Sequence, residues 1–140
     1  MALDPDILEE SFDLVAPHGD ELMEVFYERL FAAAPAVTPL FAESDMNAQR
    51  AKLLATLVLL RKSLRNLEPI VPKLQELGAR HVAYGAQPEH YPVVGEVLIA
   101  SMAEVAGESW RPEYERAWAD ALALVAAAMS GTSPGIPPMP

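Results

Sequence analysis

The sequence predicts an all-α domain, and three observations carry that reading. Apolar residues recur at three- and four-residue intervals along most of the 140-residue chain, the spacing that lines one face of a helix. Strand signals are missing, with no sustained apolar–polar alternation and no Asn-Gly or Asp-Gly hairpin turn. Prolines and glycines punctuate the periodic runs, cutting the chain into six or seven helices with short joints.

Asp4 before Pro5 pairs an N-cap with a first-turn proline, and Leu8, Phe12 and Val15 then share a face. Pro17-His18-Gly19-Asp20 breaks that helix. Asp20 is placed to cap the next one, whose apolar positions are Leu22, Met23, Phe26, Tyr27, Leu30 and Phe31. Pro35 and Pro39 bracket a short helical turn ending in Leu40-Phe41, and residues 43–47 read as a polar loop. Leu53, Leu57, Leu60 and Leu64 line one side of a long helix, with Leu54 and Val58 widening the stripe.

Pro69 and Pro72 start a shorter helix expected to stop near Gly78. Pro88 and Pro92 introduce another, with Val94, Val97, Leu98, Ser101 and Val105 on one face and Gly107 at its end. Arg111-Pro112 opens the last, where Tyr114, Trp118, Ala121, Leu122, Val125 and Met129 repeat at helical spacing. The folded domain is expected over residues 1–130. Residues 131–140, with four prolines and two glycines, read as a disordered tail.

Composition narrows the function classes. The chain has no cysteine, which excludes disulfides, thiolate-bound zinc, iron–sulfur clusters and cysteine nucleophiles. A net charge of −10 argues against nucleic acid as a partner, because phosphate binding needs basic surface. The start lacks the basic and apolar regions of a signal peptide, and the apolar run Leu53–Leu60 is too short to cross a bilayer. The expectation is a cytoplasmic protein without membrane contact. Charge is uneven: eleven of the twenty acids fall before residue 46, and five of the ten bases fall within residues 50–65. Those bases read either as a helix face balancing the acids or as partners of an anionic ligand group.

Neither Ser63 nor Ser101 belongs to a paired His-Asp pattern, so a hydrolase triad is disfavoured. His81, His90 and Glu89 do not have a zinc-ligand spacing. There is no glycine-rich phosphate loop. Of the three histidines, His18 reads as a loop residue. His81 follows the glycine-ended helix and precedes a short loop, a setting that lets an imidazole project into a groove as a single axial ligand to haem iron. Gln49 and Leu53, four apart on the long helix, point the same way, and Tyr27 presents an apolar body with a hydroxyl tip.

In this order and near these separations, Tyr27, Phe41, Gln49, Leu53 and His81 resemble the haem pocket of bacterial globins. Residues 87–95 (QPEHYPVVG) and Asn66-Leu67-Glu68 resemble segments of flavohaemoglobins and their single-domain relatives, including thermophile globins with a Tyr/Gln distal pair. The resemblance covers roughly residues 4–130 and implies a globin fold, helices A, B, C, E, F, G and H around haem b (iron protoporphyrin IX). It implies His81 as the proximal iron ligand and Phe41 as the residue stacked on the haem. Tyr27 and Gln49 become the catalytic, distal hydrogen-bond donors, and Leu53 the apolar group over the iron. Tyr91 would stand behind His81, with Lys52 and Arg80 as haem-propionate partners.

The chain also departs from the flavohaemoglobin pattern. The loop between Phe41 and Gln49 is shorter, and the last-helix position near Ser133 has no acid to support the proximal histidine, which implies a weaker electron push from His81. A chain of 140 residues leaves no room for flavin and nicotinamide modules. The implied function is high-affinity binding of dioxygen, nitric oxide and carbon monoxide, with oxidation of nitric oxide to nitrate fed by a separate flavin reductase. The alternatives are a haem-based gas sensor, an oxygen store without turnover, and a haem-free interaction module.

Overall fold

The computed structural model describes residues 4–41, 45–83 and 90–129, with the side chains of residues 81–83 outside the description. Among the described residues every regular element is helical. Six α-helices follow one another: α1 (Pro5–Val15), α2 (Gly19–Ala33), α3 (Met46–Lys62), α4 (Val71–Ala83), α5 (His90–Ala106) and α6 (Pro112–Met129). Short 3₁₀ turns join them at Ala16–His18, Pro35–Phe41, Glu68–Ile70 and Gly107–Ser109. No described helix is long and apolar enough to cross a membrane.

Local chemistry explains the helix ends. Asp4 Oδ1 accepts the backbone N–H of Ile7 at 3.2 Å, satisfying one of the orphan donors that opens α1. Asp45 does the same for α3, accepting from the N–H groups of Asn47 at 2.9 Å and Ala48 at 3.3 Å. Arg61 and Lys62 occupy the last turn of α3, where the helix dipole favours cations. The cap expected from Asp20 is not formed. The α2 helix starts at Gly19, two residues before the Glu21 start that an Asp20 cap would give, so Asp20 stands in its first turn, where its charge suits the dipole.

A second expectation is corrected at α4. The helix does not stop near Gly78 but continues to Ala83, so position 81 lies within it. Gly78 is buried in its interior rather than marking its end. A glycine that terminates a helix adopts a left-handed backbone, and here that role falls to Gly107, with φ +61° directly after α5. The joints at Pro17, Pro35, Pro69 and Pro112 fall where those prolines put them.

The core is built where α2 crosses α5 and where α6 packs on α1, α4 and α5. Leu8, Leu22, Met102 and Trp118 are fully enclosed, and Phe12, Met23, Phe26, Leu30 and Leu98 complete the centre. Each such side chain stabilises the fold by roughly 1.5–3 kcal/mol over leaving it in water. The bases of residues 50–65 divide. Arg61 pairs with Asp13 at 3.0 Å, and Arg65 pairs with Glu9 at 2.9 Å and with Asp6, tying the end of α3 to α1. Arg50 and Lys52, at the other end of α3, do not belong to this network.

Candidate functional site

Tyr27 anchors the candidate site. It lies mid-way along α2 and is 5% exposed, held among three phenylalanines. Phe26 stands edge-on to it at 4.9 Å, Phe41 edge-on at 5.8 Å and Phe31 tilted at 6.0 Å. Phe31 and Phe41 also meet edge to face at 5.5 Å. Edge-to-face geometry sets a positive ring edge against a negative ring face, worth about 0.5–1.5 kcal/mol per pair beyond burial. The cluster therefore fixes both the phenol and Phe41, which closes the 3₁₀ turn before α3.

The tip of Tyr27 is polar. Burial pushes its phenol above the ordinary value, while the neighbouring Gln49 side chain and the nearby Arg50 charge pull it back part of the way. The Gln49 amide therefore lies close enough to the phenol to act on it, and both groups carry an N–H or O–H donor. Gln49 and Leu53 are half-buried and four apart on α3, so the amide and the apolar side chain share a helix face. One wall of the site thus carries a neutral phenol, an amide and a leucine.

The remaining candidates are more scattered. Tyr91 is half-buried in the first turn of α5, and burial raises its phenol as well. Lys52 is exposed on α3. Arg80 is exposed on α4 and pairs with Glu76 at 3.2 Å, one turn earlier. His81 lies in α4, with its side chain outside the described residues. The loop position Glu89 and the position near Ser133 fall outside them too.

Two contributors were not singled out from the sequence. Phe31 is four residues after Tyr27 and so on the same face of α2, a spacing that could have marked it. Arg50 follows Gln49 directly and is half-buried within electrostatic reach of Tyr27, its guanidinium donating to Asn47. Its sequence signal was only membership of a basic run.

The donor chemistry fits a haem. Among the described residues there is no cluster of three His, Asp or Glu able to hold a bare metal ion. A porphyrin supplies four of the iron's ligands and needs one imidazole from the protein, an aromatic face and apolar walls, with polar donors confined to the gas side. The Tyr27–Phe41–Gln49–Leu53 wall has that composition.

Comparison with known proteins agrees with the geometry. The Globin family profile matches residues 24–129, and the chain belongs to the globin family. It is similar to the flavohemoproteins of Bacillus subtilis (strain 168), at 27% identity over 128 residues, and of Rhizobium meliloti (strain 1021), at 31% over 128 residues. Each alignment covers 90% of this chain and 32% of the relative, so the chain spans about a third of the length of these curated relatives. Among solved structures, a Pseudomonas aeruginosa PAO1 protein described as highly homologous in structure to a human hemoglobin matches with TM-score 0.78 and 27% identity, over 89% of this chain and 94% of that one. An engineered carbene transferase from Rhodothermus marinus shares the fold with TM-score 0.81 at 24% identity, over 91% of this chain and 88% of that one. The protein is therefore a haem globin that binds gases such as dioxygen.

Proposed function

We propose that this globin holds dioxygen tightly through Tyr27 and Gln49 and oxidises nitric oxide to nitrate, with electrons from a separate flavin reductase. The observation that carries the reading is the buried Tyr27 phenol with the half-buried Gln49 amide beside it, two donors available to one bound gas. His81 would hold haem b, which would supply reversible binding of a diatomic gas. The overall change is NO + O₂ + e⁻ → NO₃⁻, which balances in atoms and charge, the electron coming from the reductase.

Hydrogen-bond donors would favour dioxygen, the more readily polarised gas, over carbon monoxide. Donors fixed in a dry pocket stabilise negative charge more than water does. Tyr27 and Gln49 supply the donors, and Leu53 and Phe41 exclude water from them. Gln49 has no strongly iron-ligating nitrogen, so it would not compete with a gas for the iron. Lys52 and Arg80 are the cations proposed for the propionates, and Tyr91 backs His81. Similarity to flavohemoproteins, whose name joins a flavin to a haem, supports a reductase-fed reaction.

The test is the oxygen dissociation rate of the purified haem protein and of Tyr27→Phe. Loss of one charge-assisted donor should speed release at least tenfold. An unchanged rate overturns the role of Tyr27. Nitric oxide consumption with added flavin reductase then separates turnover from simple gas binding, and stoichiometric consumption only would overturn the enzymatic part.

A further inference from the structure

We infer that Gly78 is a positioning residue for the haem iron: its missing side chain lets α4 rest on the backbone of Met129 in α6, and this contact sets where His81 stands. The inference rests on His81 being the iron ligand.

Glycine is unfavourable inside a helix, so a buried mid-helix glycine asks for a local reason. The reason at Gly78 is contact with backbone. A Cβ added there would overlap the carbonyl carbon and oxygen of Met129 and lie 2.6 Å from its Cα. All three atoms belong to main chain, so no rotamer change relieves the overlap. The other described glycines differ. At Gly19 the nearest atoms are ends of the Leu54 side chain, from 2.8 Å, which can rotate away. At Gly95 the nearest is Leu122 Cδ1 at 3.8 Å, an ordinary contact, and at Gly107 nothing lies within 4 Å.

The contact also serves α6. Met129 is its last residue, and its carbonyl is one of those with no intrahelical partner. Such an oxygen against a glycine Cα accepts weakly from the C–H group, as at other close helix crossings.

Through the described part of α4 only Leu74 and Gly78 are buried, while Pro72, Lys73, Gln75, Glu76, Ala79 and Arg80 are exposed. Position 81 follows Gly78 by three residues, about 60° round the helix axis. Restoring a normal separation at Gly78 requires α4 to move from α6 by on the order of 1–2 Å. The backbone at position 81 moves with it, while α2 and α3, which carry Tyr27 and Gln49, pack elsewhere. The iron–imidazole bond is the group that registers that displacement.

The experiment compares wild type, Gly78→Ala and the control Gly95→Ala as full chains reconstituted with haem. The readouts are the iron–histidine stretching band in the ferrous protein and the rate of haem loss to an acceptor. Gly78→Ala should shift or split the band and lose haem roughly tenfold faster or more, the scale of a disturbed ligand-orienting contact. Gly95→Ala should leave both unchanged. An unmoved band in folded Gly78→Ala overturns the inference.

A cavity variant of His81 makes the two readings separable. His81→Gly filled with free imidazole should regain an iron–imidazole band, and adding Gly78→Ala to it should leave that band where it is, because the ligand is no longer tied to α4. If His81→Gly keeps the wild-type band without imidazole, the ligand assignment fails instead. If imidazole-filled His81→Gly does shift with Gly78→Ala, the glycine acts on the whole pocket and the positioning role is overturned. Should Gly78→Ala not accumulate, Leu74→Ala thins the same seat one turn earlier. It must also shift the band, and an unmoved band there overturns the inference.

Discussion

The Trp118 indole N–H donates to the Ser11 hydroxyl at 2.8 Å, joining α6 to α1 between residues 107 apart, with both side chains at 0% exposure. Ser11 in turn donates to the Ile7 carbonyl at 2.8 Å, so every polar atom of the pair is satisfied without water. Ser11→Ala removes the acceptor and strands a buried indole N–H, whose desolvation is then uncompensated. The expected loss is about 1–3 kcal/mol in urea unfolding followed by tryptophan fluorescence. Loss below roughly half a kcal/mol would mean that water or a neighbouring group replaces the serine.

The raised Tyr27 phenol predicts a pH profile with a definite sign. Burial raises it from 10.0, and Gln49 and Arg50 offset part of the effect. The folded state therefore holds this proton more tightly than the unfolded chain. The associated stability is fully present below pH 10 and is lost as pH rises through the folded-state value. Tyr91 and Tyr114 are raised too, so the alkaline loss of stability should lessen in Tyr27→Phe without vanishing. Oxygen release governed by the neutral phenol should accordingly be flat from about pH 6 to 9. Arg50→Met removes a charge that lowers the phenol, so phenolate absorbance in that variant should appear at higher pH than in wild type.

The shared faces of Tyr27, Gln49 and Leu53 were legible in the sequence because these residues sit at helical spacings that also suit core packing. Gln49 and Leu53 are one turn apart, and Tyr27 belongs to an apolar stripe, so the same pattern that predicted helices placed them on shared faces. Gly78 was not legible. A glycine after an apolar run has two readings, helix end or close approach, and only the position of a distant segment decides between them. Here that segment is the end of α6, some fifty residues on. Asp20 failed for a related reason: a cap depends on where the preceding 3₁₀ turn hands over, which a short Pro-His-Gly stretch leaves open.

Arg61 and Arg65 form the main charged tie between α3 and α1, with Asp13, Glu9 and Asp6 as acceptors. Both guanidinium groups are held above their ordinary value, Arg61 mainly by Asp13 and Arg65 mainly by Glu9. They sit at the surface, where salt screens such pairs within roughly 10 Å at 0.1 M. The double variant Arg61→Met, Arg65→Met should therefore lose more stability at low salt than at about 1 M sodium chloride. A loss independent of salt would mean that the arginine stems, by packing on α1, matter more than their charges.

Two glycines should respond to alanine with opposite signs. Gly107 has φ +61° and open space around its Cα, so the obstacle to a side chain there is backbone conformation alone. Holding alanine in the left-handed region costs about 1–2 kcal/mol. Gly95 lies inside α5 with an ordinary right-handed backbone and only Leu122 within contact, at 3.8 Å. Alanine there restricts the unfolded chain and improves helix propensity, worth about 0.5–1 kcal/mol. Thermal unfolding should place Gly107→Ala below wild type and Gly95→Ala above it. For a domain of this size the separation should be several degrees, since about 1 kcal/mol moves the midpoint by roughly 2–8 °C. If Gly95→Ala were destabilised instead, the α5–α6 contact would be tighter than the ordinary 3.8 Å to Leu122 indicates.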